Sequence, residues 1–97
     1  MTRDLALGTL SHLLPQLRRD FGVSRLALFG STARDEATPT SDLDLLVEFA
    51  GDPTFVRFMG LKFFLEDQLG LRVDLVTPDA LKPRLRPIVE REAVDVA

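Results

Sequence analysis

The sequence predicts an α/β or α+β domain, a small β-sheet with helices packed on one face. Two stretches, Leu10 to Phe21 and Phe55 to Leu69, carry apolar residues at helical spacing, and each is followed by a glycine. Short aliphatic stretches follow both glycines and read as strands. Within the strands, acids alternate with aliphatic residues, which gives each strand one oily face. At 97 residues and 45% hydrophobic composition, the chain is expected to form one domain spanning 1–97.

The first helix is defined by Leu10, Leu13, Leu14, Leu17 and Phe21, with Arg18, Arg19 and Asp20 off the stripe. Gly22 is its expected C-terminal cap. Pro15 is expected to kink it or to mark where a second segment starts. Val23 to Gly30 reads as a strand, Ser31 to Glu36 as a short helix or turn, and Ala37 to Ser41 as a loop. Ser41 to Phe49 is the second strand, followed by a turn and the helix Phe55 to Leu69, closed by Gly70. Leu71 to Thr77 is the third strand. Pro83 and Pro87 limit the segment from Pro78 to Glu92 to short turns, or to a helix starting near one of them. Ala93 to Val96 is a short fourth strand. The order is αβαβαβαβ.

Composition removes several function classes. There is no cysteine, so neither a disulfide framework nor a thiolate metal site can form. The net charge of −3 and the absence of Trp and Tyr make nucleic acid a poor partner. No apolar run approaches a bilayer span, and the first residues make a poor signal peptide, so a soluble cytoplasmic protein with no membrane association is expected. The single histidine, His12, lies off the apolar stripe and reads as a surface residue.

The informative stretch runs from Phe29 to Phe49. On the second strand Leu43, Leu45, Val47 and Phe49 share one face, and Asp42, Asp44 and Glu48 share the other with Leu46. On the third strand Asp74 falls on the face opposite Val73 and Leu75. If these strands are neighbours, Asp42, Asp44 and Asp74 converge, and their mutual repulsion calls for a cation. Carboxylate oxygens on a rigid element suit Mg²⁺, and two acids two residues apart can bridge a metal pair. Gly30 lets the backbone approach a phosphate, and Ser31 offers a hydroxyl. Taken singly each feature has a plainer reading: Asp-x-Asp as a solvated strand face, Ser31 as a helix cap, Arg34 as half of a surface ion pair.

Gly30-Ser31, ten intervening residues and Asp42-Leu43-Asp44 together match the signature of the DNA polymerase β-like nucleotidyltransferases. The longer pattern "GSTAR…SDLDLLVEF" followed by "VDLVTPDALKP" resembles the minimal nucleotidyltransferase (MNT) group over nearly the whole chain. The resemblance implies a small mixed sheet of the nucleotidyltransferase fold. It implies Mg²⁺, as two ions, held by Asp42, Asp44 and Asp74, with Asp74 also the base for the acceptor hydroxyl. It places Gly30, Ser31, Arg34 and Ser41 around the triphosphate of ATP. Asp35 stands where many relatives have Gly and is expected to point outward.

The group also implies a partner. Larger relatives append helical domains that grip the acceptor, and this chain ends soon after Asp74, so a second chain is expected to supply that wall. MNT proteins resemble one another in being paired with a small helical HEPN-type toxin. The implied function is antitoxin activity by AMP transfer to a tyrosine hydroxyl of that toxin. Two alternatives stay open: neutralisation by occlusion alone, using the basic stretch Lys82, Arg84, Arg86 and Arg91, and transfer to a small molecule or RNA end. An unpaired sheet edge also leaves room for a homodimer or hetero-oligomer.

Overall fold

A computed structural model describes residues 1–96. Helix α1 (Arg3–Phe21) starts where the Thr2 hydroxyl accepts a hydrogen bond from the Leu5 N–H and ends at Gly22, whose φ of 72° suits glycine. Strand β1 (Val23–Phe29) leads into α2 (Gly30–Ala33), a single turn. Strand β2 (Leu43–Phe49), helix α3 (Phe55–Leu69) and strand β3 (Val73–Val76) follow. A 3-10 turn at Pro78–Ala80, helix α4 (Arg86–Glu92) and the two-residue strand β4 (Val94–Asp95) complete the chain.

The sheet order is β3-β2-β1-β4. β1 pairs antiparallel with β2 and with β4, and β2 pairs parallel with β3. The sheet is therefore mixed, in an α+β architecture. One face carries the core: Leu26 and Leu28 of β1, Leu43, Leu45 and Val47 of β2, and Val73 and Leu75 of β3. Leu10, Leu14 and Leu17 of α1 and Leu61 and Leu65 of α3 close over it. Each fully buried leucine contributes on the order of 2 kcal/mol by leaving water. Phe21 and Phe64 meet at 5.4 Å between ring centroids and join the two helices.

Pro15 neither ends α1 nor opens a second segment, because the helix runs unbroken through it. Its ring lies on the exposed side, while the neighbours Leu14 and Leu17 are buried. Burial of that leucine stripe outweighs the roughly 3 kcal/mol that an interior proline costs a helix. The second strand is shorter than its alternation implies. It starts at Leu43, because the Ser41 hydroxyl accepts from the Thr38 N–H (2.9 Å) and holds the preceding residues in a turn. Asp42 therefore precedes the strand, and its charge still reaches Asp44. The third strand is trimmed to Val73–Val76, its first N–H held by the Glu66 carboxylate of α3 at 3.0 Å.

The second sheet face is not simply open. Ala27 and Leu46, opposite each other in register, are both buried there outside the main core. α1 and α3 cover the first face as expected, whereas α4 sends Glu90 and Glu92 towards the second. Glu90 reaches Arg25, which also pairs with Glu48 and Asp95 at 2.9 Å each. α4 contains no buried residue, so these ion pairs, rather than an apolar stripe, fix its position. No helix among the described residues is long and apolar enough to cross a membrane.

Candidate nucleotidyltransferase site

Parallel pairing of β2 with β3 sets Asp44 directly beside Asp74. Both project from the face opposite the core leucines, since Leu43, Leu45, Val73 and Leu75 take the other side. The strand adjacency that the sequence left open is thus present. Asp44 bears the consequence: its carboxyl is pushed up to about 6. Burial is the largest cause, followed by the charge of Asp74, a hydrogen bond with Asp74, and the charge of Asp42, with Arg34 pulling the other way.

Antiparallel pairing of β1 with β2 sets Phe29 beside Asp44, so the glycine turn abuts the acids. Gly30 has φ of 74°, and a Cβ added there would lie 2.8 Å from Asp44 Cγ. Glycine is required here by the carboxylate as much as by the backbone angle. Ser31 is half-buried on α2, and among the described residues no hydrogen bond of its hydroxyl is seen. Its backbone carbonyl accepts from the Glu36 N–H at 2.8 Å and closes the turn after α2.

Arg34 follows α2 and pairs with Glu92 at 2.7 Å. The same Glu92 oxygen accepts from the Gly30 N–H at 2.5 Å. Asp42 sits beside Arg72, with Nε to Oδ1 at 3.1 Å, and the Leu43 N–H donates to the Arg72 carbonyl. The Ser41 hydroxyl is engaged with Thr38. Asp35 points outward: it is exposed and accepts from the Arg3 N–H at 3.1 Å. Its φ of 60° lies in the left-handed region, which is why glycine suits that position.

Glu92 was invisible to sequence reasoning. Glu92 lies 62 residues from the turn it touches, and no spacing rule links them. Arg72 alternates with Val73 like any solvated strand residue.

The donor chemistry suits Mg²⁺, since the repulsion that raises Asp44 is what a bound cation would relieve. Among the described residues, however, no three His, Asp or Glu side chains are already grouped to hold a metal ion. Asp42 is paired with Arg72. The aspartates line neither a cavity of about 450 Å³ on α1, beside Leu5, Gly8 and His12, nor one of about 380 Å³ between Glu48 and Arg86. They sit instead on an accessible sheet face.

A mixed sheet with helices over one side, and with a Gly-Ser turn and paired acids on the other, defines a nucleotidyltransferase-type fold. The nucleotidyltransferase domain family matches residues 10–96, and the chain belongs to that family. It is 46% identical over 81 residues to the protein adenylyltransferase MntA of Thermococcus cleftensis, covering 84% of this chain and 82% of the relative. A solved structure provisionally described as a minimal nucleotidyltransferase superposes with a TM-score of 0.82 at 42% identity, over 97% of this chain and 95% of the other. The fold is also that of the MNT antitoxin solved with a tri-AMPylated HEPN toxin of Shewanella oneidensis, with a TM-score of 0.67 at 22% identity. That match covers 94% of this chain and 71% of the other. The protein is an enzyme of the nucleotidyltransferase type.

Proposed function

We propose that the protein moves AMP from ATP to a hydroxyl of a HEPN-type toxin, a tyrosine, and thereby acts as its antitoxin. The observation that carries this reading is the juxtaposition of Asp44, Asp74 and the Gly30-Ser31 turn on one sheet face. The MntA relative is named a protein adenylyltransferase, and the toxin in the Shewanella complex is AMPylated, which supports the same chemistry here.

Mg²⁺ would be held by Asp44 and Asp74, with Asp42 joining on release from Arg72, and would neutralise the triphosphate and polarise its α-phosphate. The Ser31 hydroxyl and the Arg34 guanidinium hold the β- and γ-phosphates, at a turn that Gly30 lets them approach closely. Ser41 contributes through the loop that presents Asp42. Asp74 takes the proton of the acceptor hydroxyl. The acceptor oxygen bonds to the α-phosphorus, the bond from that phosphorus to the bridging oxygen breaks, and pyrophosphate leaves.

The test is transfer of label from α-labelled ATP, with Mg²⁺, to proteins in a lysate of the source organism. A labelled band with wild type that is absent with Asp44→Asn supports the reading, and mass spectrometry of the band identifies the modified residue. A second reading, neutralisation by occlusion without transfer, draws on the apolar surface of α3. Phe55, Val56 and Phe63 there are 77%, 80% and 58% exposed, an unusual arrangement for an unpartnered helix. Full toxin neutralisation by Asp44→Asn would favour it.

A further inference from the structure

We propose that Glu92 is a positioning residue for nucleotide binding, holding Arg34 and the Gly30-Ser31 turn in the arrangement the triphosphate needs; this rests on the nucleotidyl-transfer reading above. One carboxylate oxygen, Glu92 Oε1, accepts from both the Gly30 N–H (2.5 Å) and Arg34 Nη1 (2.7 Å). A single atom thus ties the start of α2 to the side chain that follows it. Charge-assisted bonds of this length are the stronger class of hydrogen bond. The Glu92 side chain is 24% exposed and that of Arg34 46%, so the acid is the better shielded partner.

Arg34 gains most from this. Its side chain is 46% exposed and would otherwise sample many rotamers. The other contact to its guanidinium is looser: Glu36 stands 3.6 Å from Nε. Glu92 occupies Nη1, and the guanidinium has five donors, so several remain for phosphate oxygens. Fixing the side chain before ATP arrives removes ordering entropy from the binding step. The same pair places Arg34 where its charge acts on Asp44.

Glu92 can do this because α4 is anchored independently. Arg25 holds Glu90 at 3.3 Å and Asp95 at 2.9 Å, and β4 pairs with β1 at Ala27 and Leu28. Losing the Glu92 carboxylate therefore frees Arg34 and the turn without releasing the C-terminal segment.

The experiment measures steady-state AMP transfer against ATP concentration, together with thermal midpoints, for wild type, Glu92→Ala, Glu92→Gln, Arg34→Ala and the double variant Glu92→Ala/Arg34→Ala. The expected result is a roughly tenfold higher KM for ATP in Glu92→Ala, with kcat nearly unchanged and a midpoint close to wild type. Glu92→Gln, which keeps an acceptor for the Gly30 N–H and loses the charge, falls between the two. The double variant is no worse than Arg34→Ala, because the two side chains act as one unit. An unchanged KM overturns the proposal, as does additive loss in the double variant. A lower KM also overturns it, by showing that Glu92 competes with phosphate for its donors. Wild type without transfer activity would instead overturn the reading on which the proposal rests.

Discussion

The backbone of Gly30 lies against the Asp44 carboxyl so closely that a Cβ on Gly30 would stand 2.8 Å from Asp44 Cγ and 3.0 Å from Asp44 Cβ. The Gly30-Ser31 turn and the Asp44 carboxyl are thus one packed unit. Gly30→Ala would have to displace Asp44 and also hold an L side chain at φ of 74°. The expected loss is about 2–4 kcal/mol of stability, together with transfer activity. Urea denaturation measures the first, and an unchanged midpoint would show that Asp44 yields freely.

Asp44 makes stability depend on pH in a defined direction. Its carboxyl is raised from the ordinary 3.8 to about 6. Below about pH 4 the folded and unfolded chains both hold the proton, and the group has no effect. Between about pH 4 and pH 6 the unfolded chain releases the proton while the fold keeps it, so stability falls as pH rises. Above that window the loss is complete. Asp44→Asn should match wild type at the acidic end and exceed it near neutrality. Paired denaturation curves across the window check this, and parallel profiles would mean that the acids do not strain the fold.

A divalent cation should reverse the same strain. Adding Mg²⁺ near pH 7 is expected to raise the thermal midpoint of wild type, and to do so far less near pH 5, where Asp44 is largely protonated. Asp44→Asn and Asp74→Asn should each erase the shift and abolish AMP transfer. A shift of equal size in Asp74→Asn would place the cation elsewhere.

Much of this arrangement could be read from the chain itself. The Leu10–Phe21 and Phe55–Leu69 periodicities, each stopped by glycine, gave both long helices, since amphipathic spacing and a left-handed cap are local properties. Asp44 and Asp74 could be assigned to one face of the sheet by alternation alone. The register that sets them side by side could not, because it depends on pairing between segments separated by a whole helix. Asp42 shows the limit in placing strand ends: after the Thr38–Ser41 turn the strand starts one residue later, at Leu43, with Asp42 paired to Arg72. Glu92 lies beyond any local rule, because the contact exists only once α4 has folded back towards β1.

Asp35 offers a check on backbone shape against charge. The φ of 60° at Asp35 lies in the left-handed region, which glycine adopts without the cost an L side chain bears. Asp35 is turned away from the acids towards the Arg3 N–H. Asp35→Gly should therefore leave the KM for ATP unchanged and be nearly neutral for stability, trading the lost hydrogen bond against relief of strain. Asp35→Ala, which loses the hydrogen bond and keeps the strain, should cost about 1 kcal/mol. A lower KM in both variants would instead mean that the Asp35 charge reaches the phosphates.

Pro15 tests how the helix above the sheet is held. An interior proline lacks the N–H of one helical hydrogen bond and crowds the preceding turn, yet α1 continues through it to Phe21. The compensation must come from Leu10, Leu14 and Leu17, each at most 4% exposed beneath it. Restoring the missing N–H with Pro15→Ala, on the exposed side, should recover part of the roughly 3 kcal/mol that proline costs. Proline also stiffens the unfolded chain, and losing that returns about 0.4–1 kcal/mol in the opposite direction. The net expectation is a gain of about 1–2 kcal/mol in denaturant titration, with AMP transfer unaffected because α1 lies across the sheet from the acids. A loss of stability would mean that the proline ring supplies packing that its exposure conceals.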